Sequence, residues 1–90
     1  MKTIYKYQLD PMEKNVTMPE GATILHVDSQ RDEICIWAEV DTDKPLVTRV
    51  FEIYGTGHEI PKDMGFVLKH LGSVKLHQDA LIFHVYESTL

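Results

Sequence analysis

Apolar and polar residues alternate with a period of two along most of the chain, the spacing of strands with one face buried and one wet. In Thr3 to Leu9, Thr3, Tyr5, Tyr7 and Leu9 fall on one side, with Ile4, Lys6 and Gln8 on the other. From Leu46 to Tyr54, Val47, Arg49, Phe51 and Ile53 alternate against Thr48, Val50, Glu52 and Tyr54. Asn15 to Met18 is a shorter extended piece, and Ala22 to Gln30 reads as a further strand. Glu33 to Val40 is apolar on both faces through Ile34-Cys35-Ile36-Trp37, which predicts a central strand. Leu68 to Leu76 returns to strand character with Gly72 admitting a bulge, and Ala80 to Glu87 is a nearly continuous apolar strand.

Turn formers punctuate these runs. Asp10-Pro11, Pro19-Glu20-Gly21, Arg31-Asp32, Asp41 to Pro45 and His77-Gln78-Asp79 each break the pattern. A hairpin-like start over the first two strands is expected, and Glu33 to Val40 is expected to pair with Leu46 to Tyr54. Lys62 to Val67 is the one stretch where a helical turn is natural, since Asp63 can cap it and Gly65 keeps it short. The reading is a single domain over residues 1–90: all-β, mostly antiparallel, a small curled sheet, barrel or sandwich with at most one short helical turn.

Charge and composition narrow the functional classes. The formal charge of −5 disfavours binding to duplex DNA or to an acidic membrane, both of which call for a basic surface. With 90 residues, 43% of them hydrophobic, the chain holds one core of modest stability, which makes a homo-oligomer plausible. The single cysteine, Cys35, lies in an apolar run and predicts a buried thiol without an intramolecular disulfide. No unbroken apolar stretch of signal-peptide or membrane-span type opens the chain, so a cytoplasmic location is expected.

Candidate chemistry centres on Val50 to Pro61, a strand that runs into Gly55-Thr56-Gly57-His58 and stops at a proline. With positive φ at Gly55 and Gly57, the backbone N–H groups around Thr56 and His58 can converge on an anion, beside a hydroxyl and an imidazole. The same glycines also suit a plain tight turn. Arg49 is the candidate cation, with Lys69 or Lys75 as substitutes, and Trp37, Tyr54 or Tyr86 the candidate stacking surface. His84 completes the expected ligand-binding set of Gly55, Thr56, Gly57, His58, Arg49, Tyr54, Trp37 and His84. The five histidines show no metal-site spacing, so no metal or other cofactor is expected; His26 and His84 read as strand residues, and His58, His70 and His77 as surface turns. His58, Glu59, Arg49 and His84 can be combined into a catalytic site on paper, but no spacing requires it and no enzymatic activity is assigned.

Three pieces in order, Met18 to Ala22, Ile53 to Pro61, and Leu71 to Val74 leading to Leu81 to Glu87, resemble a family of small uncharacterised proteins from bacteriophage genomes and prophage regions. The resemblance spans nearly the whole chain and is weakest over Lys62 to Lys69. It implies a phage accessory protein and carries no activity or catalytic residue. By analogy of context it suggests sequestration of a small, anionic, nucleotide-derived host signal, with a module docking on a host defence protein, or a structural phage component, as alternatives.

Overall fold

The structure, a computed structural model, describes residues 1–62, 65 and 67–89. Among the described residues seven strands follow in order: β1 (Lys2–Leu9), β2 (Asn15–Pro19), β3 (Thr23–Gln30), β4 (Glu33–Asp41), β5 (Leu46–Gly55), β6 (Val67–Leu76) and β7 (Leu81–Thr89). They form two antiparallel sheets, one ordered β1-β4-β3 and the other β2-β5-β7-β6. The all-β expectation holds, and the strands fall where the alternation places them. The helical turn expected at Lys62 to Val67 rests on Asp63, Met64 and Phe66, which lie outside the described residues.

Two expected pairings are corrected. β1 and β2 are not a hairpin: β1 pairs with β4, while β2 crosses to the other sheet and pairs with β5. β4 and β5 do not pair either, because the turn between them carries the chain from one sheet to the other. Each strand then buries its inward residues against the facing sheet rather than against a sequence neighbour. β4 is central in its sheet, as its two-sided apolar sequence requires.

The core is filled from both sheets. Ile34, Ile36, Ala38 and Val40 of β4 meet Met18, Phe51, Val74, Leu76 and Val85, all buried. Burying each of the larger side chains contributes about 1.5–3 kcal/mol. Cys35 points to the opposite face of β4 from Ile34 and Ile36 yet is 2% exposed. Its neighbours Gln8 and Glu33 hydrogen-bond to each other across that face at 3.2 Å, and burial pushes the thiol above its ordinary range.

The sandwich is closed along one side, where β3 runs against β6. Both strands carry a bulge there, β3 between Ile24 and His26 and β6 between His70 and Gly72. A bulge leaves a residue out of the ladder and bends its strand, so the two strands touch near Val27 and Gly72 and part beyond them. The gap between them is a wedge-shaped cavity of about 430 Å³.

Candidate functional site

The floor of the wedge is an ion pair. Arg49 of β5 and Glu87 of β7 face inward on adjacent strands, and the guanidinium donates to both carboxylate oxygens, Nε to Oε2 at 2.6 Å and Nη2 to Oε1 at 2.7 Å. Its Nη1 donates to the carbonyl of Ala22, where β3 begins, so Arg49 ties the two sheets together. Glu87 is buried at 8% exposure and Arg49 is half-buried. Such a pair is held by its geometry, since two charges leaving water recover the cost only when fully hydrogen-bonded.

The two lips are built by the bulges. His26 stands on the β3 side, its ring 5.7 Å from that of Trp37 and its Nε2 3.3 Å from Asp28 Oδ2. Lys69 and His70 stand on the β6 side, and the His70 ring meets Tyr86 edge to face at 5.1 Å. Tyr86 in turn meets Tyr54 at 5.8 Å. The wedge thus has a bidentate ion pair at its base, exposed cationic and imidazole groups at its mouth, and aromatic rings behind each lip.

Tyr54 sits over a buried carboxylate. Glu52, 5% exposed, accepts from Lys14 Nζ at 2.7 Å. Burial, and secondarily the Glu52 charge, raises the Tyr54 phenol above its ordinary 10.0, while Glu52 raises the Lys14 ammonium.

The expected anion loop is built differently. Gly57 has a positive φ of 87°, but Gly55 does not; it is needed for another reason. A Cβ at Gly55 would stand 2.7 Å from the His58 ring, which folds back over it, and the Gly55 N–H donates to His58 Nδ1 at 3.3 Å. The His58 N–H closes the turn onto the Gly55 carbonyl at 3.0 Å, and the Thr56 N–H donates to Ile82 O at 3.2 Å. These three donors are already partnered within the chain, so the expected convergence on an anion does not form. The loop instead lines a separate small cavity of about 170 Å³ with Leu81 and Phe83.

Of the expected residues, the structure places Arg49 in the wedge and Trp37 behind one lip, against His26, while Tyr54 lies on the outer face against Tyr86 and does not line the cavity. It sets Gly55, Thr56, Gly57 and His58 apart from it. His84 lies on the outer face of β7, with Thr56 Oγ1 at 2.8 Å and Ser73 Oγ at 2.7 Å. His26, His70, Ser73 and Glu87 fall outside the expected set. His70 stands on a strand, not in a surface turn. The signal for it was Gly72, since a glycine inside a strand pattern marks a bulge and a change of face. Among the described residues no group of three or more His, Cys, Asp or Glu is placed to hold a metal ion, and no helix is long and apolar enough to cross a membrane.

Comparison with known proteins adds a family. No curated protein and no solved structure matches the chain. A family model matches it from end to end: over residues 1–90, the chain belongs to the family described as a domain of unknown function, DUF7352.

Proposed function

We propose that the chain binds a small anionic ligand of nucleotide type in the wedge between β3 and β6. The observation that carries this reading is the composition of the wedge: Lys69, His26 and His70 at the mouth of a cavity of about 430 Å³, with Arg49 at its base and rings of Trp37 and Tyr86 behind the lips. The volume falls in the range of small-ligand sites. Glu87 balances the charge of Arg49, so Lys69 and the imidazoles supply the attraction for an anion. The His26 and His70 imidazoles, each backed by an aromatic ring, offer planar faces to a base. Binding there requires no proton transfer. Sequestering such a ligand in a bacterial cytoplasm is the role that fits a phage accessory protein, and it rests on the sequence resemblance.

A second reading, a protein-docking module or homo-oligomer, draws on the open edge of β1. That strand pairs on one side with β4, and Ile4 and Tyr5 on it are 56% and 43% exposed.

Native mass spectrometry with a thermal-shift screen of linear and cyclic nucleotides separates the two. On the first reading a nucleotide raises the melting temperature, Lys69→Glu removes the shift, and Gly57→Ala keeps it. Absence of any shift, or loss of the shift in Gly57→Ala with Lys69→Glu unaffected, overturns the wedge as the site.

A further inference from the structure

The outer face of β5, β7 and β6 carries a line of hydrogen-bond contacts that ends on one carbonyl. Thr56 Oγ1 donates to the carbonyl oxygen of Ile82 at 3.4 Å. A hydroxyl has one proton: when it goes to the carbonyl, the threonine oxygen accepts in its 2.8 Å contact with His84 Nε2 and the imidazole donates, which is the tautomer taken below. With Nε2 protonated, the neutral ring has a bare Nδ1. Ser73 Oγ lies 2.7 Å from that nitrogen and donates to it. The serine proton is then committed, and the 3.4 Å contact with His70 Nε2 is one in which His70 donates. In that tautomer the four bonds run one way, from His70 through Ser73, His84 and Thr56 to the backbone.

The backbone fixes this arrangement. Ser73 and His84 are direct cross-strand partners, so their side chains share a face at close range. His70 and Ser73 are three residues apart and would face opposite sides of a regular strand. The bulge between His70 and Gly72 restores them to one side.

We propose that Ser73 is a nucleophile with His84 as its base, giving the chain an acyl-transfer activity toward small activated esters. Ser73 Oγ attacks the ester carbonyl carbon while its proton passes to His84 Nδ1. The bond to the leaving alcohol then breaks, the alcohol takes that proton, and the acyl group stays as an ester on Ser73. Water repeats the sequence, releasing the carboxylic acid and restoring the serine. The His70 N–H, already aimed at the serine oxygen, is the nearby donor for the oxyanion. Thr56 is a positioning residue that holds the His84 tautomer. Ser73, His84 and Thr56 do not line the wedge, and His70 is the one residue that this site shares with it.

The test treats the full chain with p-nitrophenyl acetate and, separately, a fluorophosphonate probe, and maps the adduct by mass spectrometry. One adduct per chain, on Ser73, is expected. Ser73→Ala should abolish it, and His84→Ala should slow it on the order of 100-fold. Thr56→Val should slow it and Thr56→Ser restore it, with melting temperatures measured alongside. Nitrogen-15 NMR of the unaltered protein reads the His84 tautomer without any substitution. No adduct, an adduct elsewhere, a rate indifferent to His84, or a ring protonated on Nδ1 in place of Nε2 overturns the proposal.

Discussion

Gly72 of β6 packs on Val27 of β3 so closely that a Cβ on the glycine would stand 3.2 Å from the valine Cβ. Because that atom is fixed to the β3 backbone, relief requires moving a strand. Gly72→Val is therefore expected to lower stability by about 1–3 kcal/mol, as a urea midpoint shift. A midpoint equal to the parent's would show that the seam yields freely.

Arg49 and Glu87 form a charge pair that tolerates joint removal better than single removal. Arg49→Met leaves a buried carboxylate without its counter-ion and is expected to cost about 3–5 kcal/mol. Adding Glu87→Leu to that variant should recover most of the loss. A double-mutant cycle in urea checks this, and strictly additive losses would count against it.

The β6–β7 turn holds three successive non-glycine residues at positive φ, His77 at 52°, Gln78 at 55° and Asp79 at 70°. It is anchored to the β3–β4 turn through Asp32, which accepts from the His77 N–H at 2.7 Å and meets its Nδ1 at 2.8 Å. Gln78 takes no part in the hydrogen bonds of that anchor, so Gln78→Gly relieves strain while leaving them intact and should raise stability by roughly 1 kcal/mol. Asp32→Ala should lower it. Thermal melts of the two variants give both signs.

Tyr54 makes stability pH-dependent at the alkaline end. Its phenol is raised in the folded state, so its contribution is in place below the ordinary value of 10.0 and is lost as pH rises from there through the folded value. Urea midpoints followed from about pH 9 to pH 11 should fall less steeply for Tyr54→Phe than for the parent. Equal slopes would place the alkaline loss elsewhere.

The strands and their faces were legible because alternation encodes which side chain goes inward: Phe51 and Arg49 in, Glu52 and Tyr54 out. Partner choice was not. The runs around Ile36 and Phe51 look like neighbours across a turn, and nothing local to Asp41 to Pro45 says that the chain changes sheets there. The candidate site divides the same way. Arg49 was legible as a lone cation on an apolar face, while the lips of the wedge depend on two bulges on strands distant in sequence. The loop at Gly55 to His58 is legible as a turn, but its sequence does not say that Ile82, the Gly55 carbonyl and the His58 ring take its donors.

The wedge has a consequence for how the chain reaches its native state. One wall belongs to the β3–β4 hairpin, the other to the β6–β7 hairpin, and its base needs Glu87 from the last strand. Hairpins close quickly because their contacts are local, whereas docking one hairpin on the other must first close a long loop. During synthesis the first hairpin therefore waits, with its seam edge uncovered, until β6 and β7 have emerged. A ligand of the kind proposed for the wedge would therefore find its site only on molecules in which both hairpins have docked.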